Sequence, residues 1–318
     1  MSLPPSVRAA LGYVKRVVDY RSPAVAGLIQ RNLANVAVPM RPEGRRIALE
    51  GLGFSFDPQT HPFYIPRMVV ARGLVHGGHG TFTVGADGAP EFQSGAVRIV
   101  PEVQDDLIVL DEVFLRRLYD FSPNREPFVV DIGMNVGIAA LFYAGVKGWE
   151  VLAFEPFAPT YAIARRNIER SGLEGRIHTR PVGVAAESGA VEIGFDPEFR
   201  ATNGLFGNLA PDRPGGETTV RIDLVGAVEA FDEAFARAGE RPILAKIDCE
   251  GAEYEILERL SASGHLDRIP VIVVEYHLIR PEHSAARLIE LFLRHGYVVH
   301  RLWGGPDAGG LFALRGAI

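Results

Sequence analysis

The stretch Phe128-Val-Val-Asp-Ile-Gly-Met-Asn-Val-Gly-Ile-Ala-Ala140 constrains the fold more than any other part of the chain. Its first half is a short β-branched and aromatic run. Its second half lacks strand alternation but suits a helix, so the pattern predicts strand, tight turn, helix. Gly133 and Gly137 let the backbone bend sharply and approach a ligand without a Cβ in the way. Asp131, at the carboxyl end of the strand, can accept hydrogen bonds from an ammonium or a hydroxyl. Asn135 can contact a ligand's polar groups or cap the helix. In open α/β sheets ligands sit beyond the carboxyl ends of the strands, where this turn would lie.

From Pro127 onward strand-like and helix-like segments alternate. Strands are predicted at 128–132, 150–155, 177–181, 243–248, 270–276, 297–302 and 310–315, and helices near 136–147, 158–171, 227–238, 251–262 and 283–295. That alternation implies a mostly parallel sheet covered on both faces. Residues 190–224 interrupt it: Val191-Glu-Ile and Thr219-Val-Arg-Ile flank a loop rich in Gly, Pro and Asn. A loop that long at the ligand edge of a sheet reads as a substrate-binding element.

Upstream the pattern changes. Within residues 5–35, Val7, Leu11, Val14, Val17 and Val18 recur at roughly helical spacing between basic residues, with Asp19 as the acid. Such a basic amphipathic helix docks on its own protein or a dimer mate, or on a membrane surface or other partner. Residues 36–104 carry short β-prone runs, Phe63-Tyr64-Ile65, Met68-Val69-Val70 and Thr81-Phe82-Thr83-Val84, and turn signals at Gly77, Gly78, Gly80 and Ala86-Asp87-Gly88, which predict small antiparallel hairpins. His61, His76 and His79 lack a Cys or carboxylate at metal spacing and read as loop histidines. A helix is predicted over Asp111–Phe121. The polar, Pro-flanked segment Ser122–Pro127 then marks a boundary, giving an N-terminal α+β extension, 1–125, and a main domain, 126–318.

Charge and cysteine content narrow the setting. With 33 Lys and Arg against 39 Asp and Glu, a net charge of −6, the balance does not suggest a nucleic-acid binder. The single cysteine, Cys249, excludes an internal disulfide framework and fits a reducing compartment. The most apolar long window, 128–149, contains Asp131, Asn135, Lys147 and several glycines, so it is not a membrane span. The N-terminus lacks the uninterrupted apolar region of a secretory leader. The expectation is a soluble cytoplasmic protein.

The second predicted strand ends in Phe154-Glu155-Pro156, 24 residues after Asp131. An acidic residue at that place in a βαβ unit is positioned to accept both ribose hydroxyls of an adenosine cofactor. A dinucleotide fingerprint needs Gly-x-Gly-x-x-Gly around a pyrophosphate. Here the loop is Asp-x-Gly-x-Asn-x-Gly, whose carboxylate would repel a pyrophosphate but suits a cationic amino-acid moiety, as in S-adenosylmethionine. A methyl donor is therefore preferred over NAD, with an NAD-dependent oxidoreductase or a catalytically silent binding module as the alternatives.

These motifs resemble, in order, the FkbM family of S-adenosylmethionine-dependent methyltransferases. The likeness spans roughly residues 105–303: Asp111-Glu-Val-Phe, Asp131-Ile-Gly-Met-Asn-Val-Gly, Ala153-Phe-Glu-Pro156, Lys246-Ile-Asp-Cys-Glu-Gly-Ala-Glu253 and Val274-Glu-Tyr-His277. Met134 departs from the alanine more usual in the family. The resemblance implies a class I, Rossmann-like methyltransferase fold, a mostly parallel seven-stranded sheet with its last strand antiparallel. It further implies O-methylation of a sugar, glycan or secondary-metabolite hydroxyl. It places Asp131, Gly133, Met134, Asn135 and Gly137 around the methionine part, Glu155 and Pro156 at the ribose, Gly183 and Val184 near the adenine, and Asp248 near the sulfonium and acceptor.

Transfer from a sulfonium needs in-line placement of the acceptor and removal of its proton. Candidates for that chemistry cluster at two strand ends: Lys246, Asp248 and Glu250 at one, Glu275 and His277 at the other. Strand alternation puts Lys246 and Asp248 on one face. Asp248, Glu250, Glu275 and His277 are also oxygen and nitrogen donors, but their spacing is not a recognised ligand signature, so no metal is assigned. Cys249 alternates away from Asp248 and reads as a buried small apolar residue. Glu253 reads as a first-turn helix charge.

Overall fold

Apolar residues at two periodicities, 3.6 and 2, build both halves of the chain. The computed structural model describes residues 23–31, 39–85, 87–196, 200, 203–204, 207–208 and 218–316. It falls into two compact units, residues 1–117 and 118–318.

In the first unit a helix covers Pro23–Arg31; the rest of the predicted amphipathic segment lies outside the described residues. Met40–Glu43, Arg46–Leu49 and Phe54–Phe56 form one antiparallel sheet, and Thr81–Val84, Pro90–Ser94 and Val97–Ile99 another. The runs at 63–65 and 68–70, expected as strands, instead lie in or next to one helix, Tyr64–His76. Tyr64, Ile65, Met68, Ala71 and Leu74 are all buried, a 3.6-residue period that outweighs the β-branched composition. Pro66 is tolerated because it falls in the first turn, where an N–H has no intrahelical partner. Phe54 stacks on Phe82 at 4.7 Å, and Phe92 meets Phe114 edge-on at 5.0 Å. The helix expected over 111–121 starts earlier and stops sooner. It runs through Gln104–Leu110, widens over Asp111–Leu115 and ends before Arg117, whose φ of 55° is left-handed.

The second unit holds the predicted sheet. β1 (Phe128–Ile132), α1 (Ile138–Leu141, continued by a wide turn over Phe142–Val146), β2 (Glu150–Phe154), α2 (Ala158–Ser171) and β3 (Ile177–Arg180) come first. β4 (Gly183–Ala185), β5 (Gly189–Phe195), the short pair β6 (Asn203–Gly204) and β7 (Gly207–Asn208), and β8 (Thr218–Gly226) make up the insertion. α3 (Ala227–Ala238), β9 (Ile243–Ile247), α4 (Glu253–Ala262), β10 (Val271–His277), α5 (Ala285–Arg294), β11 (Val298–Gly304) and β12 (Ala308–Leu314) complete it. All seven predicted strands join one sheet in the order β11-β12-β10-β9-β1-β2-β3. β12 alone runs against its neighbours β10 and β11, while the other pairings are parallel.

Phe128, Val130 and Ile132 bury one face of β1 with Phe231 of α3, Leu257 of α4 and Phe292 of α5. Pleating sends Val129 and Asp131 to the opposite face. The break in alternation at 190–224 is a second sheet: β8 pairs antiparallel with β5 and parallel with β4. Phe157 and Phe195 stack at 5.0 Å in a small core that this sheet shares with the start of α2. Among the described residues no helix is long and apolar enough to cross a membrane.

Candidate functional site

The turn after β1 is held by glycines that need left-handed backbone. Gly133 and Gly137 have φ of 80° and 87°, and Asn135 between them adopts 52°. A Cβ on Gly133 would lie 1.7 Å from the carbonyl oxygen of Asp248, so the turn fits against the exit of β9 only without a side chain. The Gly133 and Met134 amides both donate to Phe154 O, at 3.1 and 2.9 Å. The turn is thereby fastened to β2, which carries Glu155.

Glu155 is 5% exposed. Its Oε2 accepts the Asn135 amide at 2.9 Å and its Oε1 the Phe157 amide at 3.0 Å. Burial pushes its pKa up to about 7, against the two backbone bonds and the Lys246 ammonium. Each oxygen retains a second lone pair. Asn135 Oδ1 is buried without a hydrogen-bond partner. A carboxylate after β2 with lone pairs to offer, bonded to a glycine-bounded turn that carries an orphaned carbonyl, fits an adenosine group with a polar amino-acid tail. Pro156 stands beside Gly183, where an added Cβ would lie 2.8 Å from Leu224 Cδ2 and 3.4 Å from Pro156 Cβ. Met134 is buried, and Val184 packs within the main core.

Asp131 and Lys246 are register partners on β1 and β9. Lys246 Nζ lies 3.2 Å from Asp131 Oδ1 and 3.4 Å from Asp248 Oδ2, and donates to Gly133 O at 2.7 Å. Burial opposes the lysine's charge, yet the two carboxylates outweigh it and hold its pKa above the usual value. Burial raises the Asp131 pKa while Lys246 lowers it. Asp131 is fully buried and its carboxylate meets Lys246 beneath the turn. Lys246 is too deep to snorkel. The ring of Tyr119 lies 5.9 Å from its Nζ.

Beyond Asp248 the chain turns through Glu250, whose φ of 55° is left-handed. β10 brings Glu275 and His277 alongside. His277 Nε2 is 3.2 Å from Glu250 Oε2 and 3.8 Å from Glu275 Oε1, while Nδ1 is 3.1 Å from Glu253 Oε1. Burial disfavours the imidazolium, but Glu253 and Glu250 raise its pKa to about 10. Burial raises the Glu250 carboxyl well above its ordinary value. Glu253 is fully buried and also accepts the Cys249 and Gly251 amides at 3.1 and 3.0 Å. Burial works against its charge, but His277 and the Gly251 amide lower its pKa.

Glu253 is therefore the bracket that ties the β9 exit to His277, a role hidden behind its position in a first helical turn. The Gly-Ala-Glu spacing was the available signal, since a carboxylate two residues after a left-handed glycine can reach back to the loop amides. Tyr119, whose hydroxyl donates to Glu275 Oε2 at 3.4 Å, carried no motif. Cys249 is part-buried against the core, and burial raises its thiol pKa well above the ordinary value. β6 reaches the same place: a Cβ on Gly204 would lie 2.0 Å from Glu250 O.

The family described as Methyltransferase FkbM domain matches residues 131–299. "Methyltransferase 1" of Beauveria bassiana (strain ARSEF 2860) is 25% identical over 212 residues, covering 62% of this chain and 84% of its own. "Methyltransferase sdnD" of Sordaria araneosa is 25% identical over 194 residues, covering 52% and 73%. Among solved structures, the N-terminal domain of human METTL16 in complex with SAH aligns over 96% of this chain and 94% of its own, at 14% identity and a TM-score of 0.39. M. capricolum TrmK, in complex with S-adenosyl-homocysteine, aligns over 63% and 66%, at 15% identity and a TM-score of 0.37.

Proposed function

This chain belongs to the FkbM methyltransferase domain family, and on that premise we propose that it methylates a hydroxyl of a sugar, glycan or other small metabolite. Its seven-stranded sheet, with β12 reversed, is the class I Rossmann-like methyltransferase sheet. The cofactor is S-adenosylmethionine, which when bound supplies a methyl group already activated on a sulfonium.

The residues then divide the work. Glu155 offers its two remaining lone pairs to the ribose hydroxyls, with Pro156 and Gly183 shaping the adenine side. Asn135 offers Oδ1 to the methionine part. Asp131 acts from beneath, holding Lys246, which in turn fixes the Gly133 carbonyl. Lys246 and His277, both kept protonated, are not proton acceptors in this state; they orient the carboxylates of Asp248, Glu250 and Glu275.

The single observation that carries oxygen as the acceptor is this group of carboxylates at the ends of β9 and β10. A neutral amine attacks a sulfonium with its lone pair and needs no base first. A hydroxyl is a poor nucleophile until a base draws off its proton. The reducing setting implied by one cysteine supports a cytoplasmic location.

The test is incubation with S-adenosylmethionine bearing an isotope-labelled methyl group and a panel of hydroxylated sugars and glycans, read by mass spectrometry. Label on oxygen is expected, with turnover falling in Asp248→Asn. Absence of S-adenosylhomocysteine binding in calorimetry, or label on nitrogen or carbon only, overturns the reading.

A further inference from the structure

We propose that Asp248, Glu250 and His277 form a binding site for a divalent cation of the Mg²⁺ or Mn²⁺ kind, which holds the acceptor hydroxyl. The inference rests on the methyltransferase reading for its purpose, but not for its geometry.

Three different donors converge. One carboxylate oxygen from Asp248, one from Glu250 and an imidazole nitrogen of His277 lie within 4.8 Å of one another. Small side-chain rotations would bring such a set to the ~2.1 Å ligand distances of these ions. The three side chains are 25%, 17% and 7% exposed, so the set is neither a solvated surface cluster nor a sealed core.

The second observation lies outside the trio. Fully buried Glu253, on α4, is held by the amides of the β9 exit and takes the Nδ1 side of His277. That bond leaves Nε2 facing Glu250 and Glu275. A carboxylate on the far nitrogen is the arrangement that orients ligating imidazoles and raises their basicity. Asp248, by contrast, has its second partner in Lys246, which orients it from the β9 face.

Charge points the same way. Glu250, Glu253 and Glu275 all approach one imidazole within 3.8 Å. A divalent cation held between Asp248 and Glu250 would offset the carboxylates gathered there. On binding, the Nε2 proton passes to solvent and the ion takes its place. Two carboxylates and one imidazole leave open coordination positions for water and for the oxygens of a hydroxylated acceptor, and this mainly oxygen donor set suits Mg²⁺ or Mn²⁺. Glu275 stands beside the site without belonging to the ligand set, placed to receive the acceptor's proton.

The experiment is a Mn²⁺ titration of the EDTA-treated full chain, followed by calorimetry and by the electron paramagnetic resonance of free Mn²⁺, with Mg²⁺ as competitor. One Mn²⁺ per chain is expected, with affinity weakened on the order of 10- to 100-fold in Asp248→Asn and in Glu250→Gln. Thermal unfolding reports whether each variant is folded, and the second stands in should the first fail. No Mn²⁺ uptake by the wild type at millimolar concentration, or wild-type uptake by the folded variants, overturns the site. Failure of the methyltransferase reading is seen separately, as loss of S-adenosylhomocysteine binding by the wild-type protein.

Discussion

Lys246 holds its ammonium 3.2 Å from Asp131 Oδ1, and the two side chains are 4% and 0% exposed. The pair crosses from β9 to β1 in direct register and, through the Lys246 bond to Gly133 O, fixes the turn after β1. It is a brace between that turn and Asp248 at the exit of β9.

Removing one member of a buried pair leaves the other's charge uncompensated. Lys246→Met is expected to cost about 3 to 5 kcal/mol in guanidinium unfolding. Adding Asp131→Asn to that background should return much of the loss. A single-variant cost below about 1 kcal/mol would show that the pair carries little of the turn's stability.

Glu155 ties stability to pH. Its folded pKa, about 7, lies above its ordinary value of 4.5, so between those values the folded chain keeps a proton that the unfolded chain has released. Stability contributed by this group is therefore lost as pH rises from 4.5 toward 7, by about 3 kcal/mol in full. In Glu155→Gln that loss is absent: its stability relative to wild type should grow across this window and level off above it. The same variant should bind S-adenosylhomocysteine more weakly by about 1 to 3 kcal/mol. Parallel stability curves for the two proteins from pH 4.5 to 8 would contradict the assignment.

Two glycines of one turn should respond unequally to alanine. At Gly137 the new methyl meets Ala164 Cβ at an ordinary 3.5 Å, so the cost is the ~1 to 2 kcal/mol of a left-handed L-residue. At Gly133 it meets the Asp248 carbonyl at 1.7 Å, and either the turn or the β9 exit must move. Gly133→Ala should lose more stability than Gly137→Ala and should also lose S-adenosylhomocysteine binding. Equal effects would mean that the close approach is not maintained in solution.

Asn203 anchors β6 by a reciprocal pair with the Asp196 backbone, 2.8 Å in each direction. Asn203→Ala should cost about 1 to 3 kcal/mol and speed amide exchange at Asp196. Because β6 lies on Glu250 and not on the donor turn, the Michaelis constant for the acceptor should rise while the dissociation constant for S-adenosylhomocysteine stays as in wild type. A change confined to the latter would move the insertion to the donor side.

The legible parts were those in which short-range pattern and tertiary demand coincide. Every strand of the large sheet, and α2 and α3 to the residue, followed from β-prone and helical runs bounded by turns, most plainly at the central strands β1, β2 and β9, which are buried on both faces and admit few polar residues. The helix Tyr64–His76 was misread because its β-branched residues suit a strand locally, and only packing revealed the helical period. Asp131 was legible as important but not as buried: that depends on Lys246, 115 residues away in sequence, arriving in register.

The sequence alone determined the alternating architecture, the glycine-bounded turn after β1 and the acidic residue after β2, since these are properties of contiguous residues. Only the tertiary structure decided which carboxylates are held by a lysine and which by a histidine. Charge pairing is set by distance in space, and β9 and β10 reach the turn only once the sheet has assembled.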